Sequence, residues 1–144
     1  MTRSTLALGT LAALTAVAAS AVAVRRTLIL TTVDGDSMEP SLRSGDRVLI
    51  RRTRRVRRGQ ITLLRSDPHD VLLLKRAVAV PGDPLDEEWA APVGERVAAA
   101  TVPRGTIVVL GDNRPTSWDS RHFGPVRTSR VLGVYVTRVH AAAS

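Results

Sequence analysis

Val71-Leu72-Leu73-Leu74-Lys75-Arg76-Ala77-Val78-Ala79-Val80 is the stretch on which the reading of this chain turns. It is apolar apart from two adjacent bases, Asp70 introduces it and Pro81-Gly82-Asp83-Pro84 closes it, so a strand is expected over residues 71–80. The base inside it is unusual. Of the 21 Lys and Arg residues, Lys75 is the sole lysine. A guanidinium is effectively never deprotonated, whereas an ammonium loses its proton when desolvated. A position that must be neutral to work is therefore one that Arg cannot fill. A stray surface lysine is the bland alternative, and the Leu and Val flanks argue against it.

Further strands are expected over residues 27–33, 47–50, 61–64, 95–102, 106–110 and 131–139, each set off by Gly, Asp or Pro. With one Phe, one Tyr and two Trp among 144 residues, Val, Leu, Ile and Ala must fill the core, and the β-branched share favours strands. No amphipathic helix stands out after residue 24. The expected fold is mostly β, a compact β-barrel or paired antiparallel sheets. The absence of cysteine removes disulfides, thiol catalysis and thiolate metal sites, and His69, His122 and His140 lie too far apart to suggest a ligand pair. Neither a metal nor a cofactor is expected.

Residues 5–24 carry no charge, and twenty residues at ~1.5 Å rise span ~30 Å as a helix, the thickness of a bilayer's hydrocarbon core. The expected organisation is a single membrane anchor over residues 1–26 and a β-rich catalytic domain over residues 27–144. A cleaved signal peptide is the rival, since Thr5, Thr10, Thr15 and Ser20 dilute the segment and Ala19-Ser20-Ala21 has the small-x-small form of a cleavage site. The stretch is longer than the ~7–15 residues of a signal-peptide core, which favours retention. Arg3 on one side and Arg25 with Arg26 on the other would, taken literally, keep the domain in the cytoplasm. A domain of this size translocates largely regardless of its charge, however, and the extracytoplasmic face is expected.

The net charge of +8 and the run Arg51-Arg52-Thr53-Arg54-Arg55-Val56-Arg57-Arg58 invite a nucleic-acid reading. No aromatic residue is interleaved for base stacking, so a solvated or lipid-facing surface is expected and nucleic acid is not.

Three segments belong together: Gly35-Asp36-Ser37-Met38-Glu39-Pro40-Ser41; Leu74-Lys75-Arg76 with Val80-Pro81-Gly82-Asp83; and Gly111-Asp112-Asn113-Arg114 running on to Ser117-Trp118-Asp119-Ser120-Arg121. In kind and order they resemble bacterial type I signal peptidases, the S26 family of Ser-Lys serine proteases, over nearly all of the chain beyond the anchor. The resemblance implies Ser37 as nucleophile and Lys75 as general base. It implies that the backbone N–H of Ser37 serves the oxyanion, that Ser117 hydrogen-bonds the Lys75 amine, and that Asp119 and Arg121 form a supporting ion pair. Gly35 stands where some relatives carry an assisting hydroxyl, Pro115 and Thr116 depart from the usual residues, and the interval from Pro81 to Gly111 is short, so an inserted second domain is absent. Asp36 and Met38 are the expected substrate contacts, the latter by packing near the site, and Asp112 and Asn113 are read as structural turn residues. The implied substrates are the leader peptides of exported preproteins, cleaved at the surface of a lipid bilayer after small side chains one and three positions before the scissile bond.

The chemistry of the pair stands without the family. A serine hydroxyl needs a neighbouring base, and a neutral amine serves without histidine. Burial can bring a lysine pKa down to ~5–6. Gly35 would permit the tight turn that presents Ser37, and Pro40 would stiffen its exit. A triad using His122 and Asp119 is the weaker idea, because their closeness in sequence makes an orienting bond awkward and leaves Lys75 unexplained. Three rivals remain: a dedicated maturation protease for one partner, an autoproteolytic repressor-like protein, which would need a DNA-binding domain, and a membrane-tethered nucleic-acid or lipid-binding module.

Overall fold

The computed structural model describes residues 3–66, 70–85 and 101–139, with side chains from residue 13 onward. The first element is a helix, α1, Arg3–Thr27. It contains the uncharged segment and outruns it, because Thr27 turns its hydroxyl back to the carbonyls of Ala23 and Val24, both at 3.1 Å. Thr27 thus ends a helix where a strand was expected to begin. Among the described residues, no helix is long and apolar enough to cross a membrane on hydropathy.

Among the described residues seven strands follow: β1 Leu28–Thr32, β2 Arg47–Arg52, β3 Ile61–Arg65, β4 Leu72–Ala79, β5 Thr106–Leu110, β6 Val126–Arg127 and β7 Val131–Val139. They form one sheet in the order β1-β2-β7-β3-β4-β5-β6, with every neighbour pair antiparallel. The mostly β, antiparallel expectation holds, and because the two end strands do not pair among the described residues, the closed barrel or paired sheets give way to a single open sheet. The expected strand over residues 95–102 falls mainly outside the described residues, as do His69 and His140; its end survives as a bridge between Thr101 and Pro84.

The central strand β3 is buried at Ile61, Thr62, Leu63 and Leu64, which requires cover on both faces. Period-two alternation supplies it. Leu63 packs with Val33, Met38, Leu42, Val48, Ile50 and Ile61, whereas Leu64 packs with Ile107, Val109 and Val131. The link between β5 and β6 carries a one-turn helix, α2, Ser120–Phe123, capped at its start by the Asp119 side chain. Ser120 Oγ accepts a 2.9 Å bond from the Val109 N–H and pins α2 to β5.

Candidate active site

Ser37 sits in the turn between β1 and β2. Gly35 has φ +81°, a region costly for other residues, and the chain then closes with Glu39 N–H donating to the Asp36 carbonyl and Leu42 N–H to the Met38 carbonyl. A second segment holds this turn. The Asn113 backbone N–H donates to the Ser37 carbonyl at 3.0 Å, and its side-chain amide donates to the Asp36 carbonyl at 3.3 Å. Gly111 lies so close beneath that a Cβ there would collide with the Ser117 side chain and the Ser37 carbonyl oxygen.

Lys75 reaches this turn from the middle of β4, where its carbonyl accepts a 3.0 Å bond from the buried Thr62 hydroxyl on β3. Its Nζ and Ser37 Oγ are hydrogen-bonded at 2.6 Å, and the residue is only 3 % exposed. Burial lowers the Lys75 pKa from its ordinary 10.5; Asp119 pulls it back up, Arg121 pushes it further down, and Asp36 again raises it. The balance favours the neutral amine relative to a lysine in water. That is the state in which the nitrogen can take a proton from the hydroxyl.

Asp119 is fully buried and its carboxylate is crowded with donors. Arg121 Nε reaches Oδ1 at 3.0 Å and Nη2 reaches Oδ2 at 3.1 Å, while the N–H groups of Gly111 and Arg121 donate at 3.0 and 3.2 Å. Burial alone would raise its pKa, but these bonds, chiefly the one from Arg121, outweigh it and hold the carboxyl below the usual range. Arg121 also donates to the Arg114 carbonyl at 2.7 Å, so the expected ion pair doubles as the brace of the whole loop.

Ser117 departs from expectation. It is 4 % exposed at the base of the site, yet its Oγ has no hydrogen-bond partner of good geometry; it bonds neither the Lys75 amine nor any other described group. It lies near enough to Asp119 to contribute to that residue's lowered pKa. The Ser117 side chain packs close against Gly111. Met38 is 1 % exposed and belongs to the core, so it meets the site only as part of a cavity wall, while Asp36 is exposed. His122 is engaged elsewhere: its Nδ1 accepts from the Asp119 N–H at 3.3 Å, and its ring stacks on Trp118 with centroids 4.3 Å apart. The hydroxyl of Ser37 has Lys75, not His122, as its partner.

Arg76, next to the candidate base, was not singled out in the sequence. It clamps Asp112 with two bonds of 2.8 and 2.7 Å and donates to the Gly59 carbonyl at 2.7 Å and Ser41 Oγ at 3.2 Å. Asp112 is more than a turn residue. Burial works to raise its pKa, and the Arg76 and Ser41 bonds bring it below the ordinary value. The clue lay in three neighbouring motifs each contributing one charged or hydroxyl side chain.

Beside the pair lies a cavity of about 70 Å³ bounded by Thr31 to Asp34 on one side and Leu72 to Leu74 on the other, with Ser37 and Lys75 in its wall. A larger cavity of about 450 Å³, lined by Phe123, Val126 and Arg127, includes neither of them.

The pattern of the signal peptidase, peptidase S26 family matches residues 6–88 and 87–140. Signal peptidase I V of Bacillus subtilis (strain 168) is 30% identical over 135 residues, covering 71% of this chain and 80% of that protein. The mitochondrial ATP-independent inner membrane protease subunit 1a of Arabidopsis thaliana is 38% identical over 122 residues, covering 79% and 72%. The crystal structure of a signal peptidase I from Enterococcus faecalis V583 is 29% identical, covers 56% of this chain and 96% of its own, and superposes with a TM-score of 0.44. With the match running through both halves of the sequence, and relatives aligned over most of their own length, the chain belongs to the S26 signal peptidase family.

Proposed function

We propose that this protein is a membrane-bound serine endopeptidase that removes signal peptides from exported preproteins, with Ser37 as nucleophile and Lys75 as general base. The observation that carries the reading is the 2.6 Å bond between Ser37 Oγ and a lysine amine that is 3 % exposed. Neutral Lys75 takes the hydroxyl proton as Oγ attacks the scissile carbonyl, and the Ser37 N–H donates to the oxyanion. The resulting ammonium gives its proton to the leaving amine, which departs as the ester forms. Water then attacks the ester carbonyl, losing its proton to Lys75, and the proton returns to Ser37 Oγ as the acid product leaves.

Asp119 and Arg121 act on the base through the loop they brace and through their opposed charges. Ser117 is the candidate to turn its hydroxyl toward the amine once substrate excludes water. Small side chains before the scissile bond suit the small cavity of about 70 Å³ beside the pair. Asp36, exposed next to Ser37, is the candidate to meet the substrate backbone.

In this reading residues 1–26 are a retained single-pass anchor and residues 27–144 the catalytic domain on the extracytoplasmic face. A dedicated maturation protease for one partner is the second reading, supported by the likeness to a subunit of an inner membrane protease. Both are tested by incubating the full chain in detergent with a model preprotein and reading the new termini by mass spectrometry. Cleavage after a small residue that vanishes in Ser37→Ala supports the mechanism, and cleavage that persists in Ser37→Ala refutes it.

A further inference from the structure

We infer that the six arginines of residues 51–58, together with Arg25 and Arg26, form a basic collar at the exit of α1 that binds the phosphate groups of anionic phospholipids. The inference rests on the proposal that α1 sits in a membrane. Sheet register makes the collar, which the linear sequence does not show. β1 follows α1 without a gap, and Leu28 pairs with Arg51, so β2 runs toward the end of the helix and delivers its arginines there. Arg25 and Arg26 occupy the last turn of α1. Two arginine groups separated by about two dozen positions thereby share one end of the sheet.

All eight side chains are exposed, residues 47–65 contain no Asp or Glu, and among the described residues none of the eight joins an ion pair. The segment that carries them is nevertheless fastened down. Val56 packs against the Leu64 cluster, Arg55 N–H donates to Thr53 Oγ1, Arg57 N–H donates to Gln60 Oε1, and Gly59 N–H donates to the Ala77 carbonyl. A fixed backbone holding unpaired guanidiniums outward suits an array of phosphates.

Lipid is the occupant the observations favour. A helix leaving this surface for a bilayer would bring the headgroups to the collar, and no aromatic residue lies in residues 47–65 on which a base could stack. The collar would add to the hold of α1, since stable membrane attachment commonly combines an apolar segment with a polybasic one.

The test is arginine labelling with phenylglyoxal, read by mass spectrometry, on the full chain in nanodiscs of phosphatidylcholine alone or with about a third phosphatidylglycerol. Labelling of residues 51–58 is expected to fall roughly fivefold or more in the anionic discs at low salt and to recover near 1 M salt, where screening shortens to about 3 Å. Exposed Arg43 and Arg104 should label equally in both. In the variant with Arg54, Arg55, Arg57 and Arg58 all replaced by Glu, the protection of Arg51 and Arg52 should be lost. If the chain co-purifies with both discs and residues 51–58 label equally, the collar is refuted while the anchor stands. If it enters neither disc, the membrane reading falls and takes the collar with it. Protection by single-stranded DNA, with none from anionic discs, overturns the lipid assignment in favour of nucleic acid.

Discussion

Replacing Lys75 with Met keeps the unbranched stem and removes the amine, which separates what that amine does for catalysis from what it costs the fold. The variant cannot bond Ser37 Oγ, a loss of about 0.5–1.5 kcal/mol. Against this stands the burial of the wild-type amine, 3 % exposed, which holds its pKa below 10.5 despite the opposing pull of Asp119 and Asp36. Between the lowered folded value and 10.5 the unfolded chain binds more protons than the folded one, so wild-type stability rises with pH across that window. Below the window the penalty is present in full, about 1.4 kcal/mol for each pH unit by which the pKa is lowered. Above 10.5 it is gone, and only the hydrogen bond distinguishes the two proteins. Lys75→Met should therefore gain on wild type toward acid pH and fall behind it at the alkaline end. Urea unfolding followed by Trp fluorescence at several pH values measures the difference, and a peptide-cleavage assay should show a loss of about 10³-fold or more. A stability difference that is flat with pH, or that favours wild type increasingly as pH falls, would refute a base held neutral by burial.

Ser117→Ala removes a buried hydroxyl without a partner and should leave stability unchanged or raise it by about 1 kcal/mol, while cleavage falls about tenfold if the hydroxyl orients the amine in the substrate complex; equal activity would show that it does not. Gly111→Ala drives a methyl into Ser117 and the Ser37 carbonyl, and displacing the nucleophile by about 1 Å should cost about 10²-fold in kcat. Its activity loss should exceed that expected from the shift in its unfolding midpoint. Asp119→Asn leaves Arg121 without its counter-charge; with Arg121 still 23% exposed, the loss should fall near the lower end of about 3–5 kcal/mol. Because the Asp119 pKa is depressed, its contribution is present above 3.8 and is lost as pH falls through the folded value, so acid unfolding of the variant should be the less steep.

The parts of this architecture that were legible in the sequence are those governed by local pattern. Residues 106–110 and 131–139 alternate or run apolar between turn signals, and they are β5 and β7 as expected. Ser37 and Lys75, which the structure brings within 2.6 Å, stand out as candidates in the sequence because each is chemically exceptional, one on a glycine turn and the other the lone amine among guanidiniums. What escaped depends on contacts between distant segments. Nothing local to Asn113 says that its N–H will hold the Ser37 carbonyl, and Arg76 meets Asp112 across 36 positions. The two-residue β6 is too short to carry a period, and the end of α1 is set by a threonine whose β-branched side chain spoke for a strand.

Lys75 and Arg76 are consecutive on β4, so they point to opposite sides of the sheet, and Lys75 stands across from Thr62 while Arg76 stands across from Ile61. Sliding β4 one position along β3 would offer the serine a permanently charged neighbour unable to accept its hydrogen. Such a slip would also turn Ala77 and Ala79 away from the core and bury the charge of Arg76 in their row, so it would cost the fold as well as the chemistry. The irregular step between Ala77 and Ala79 against β5, and the grip of Arg76 on Asp112, therefore act as alignment marks whose failure would show in turnover and in melting together.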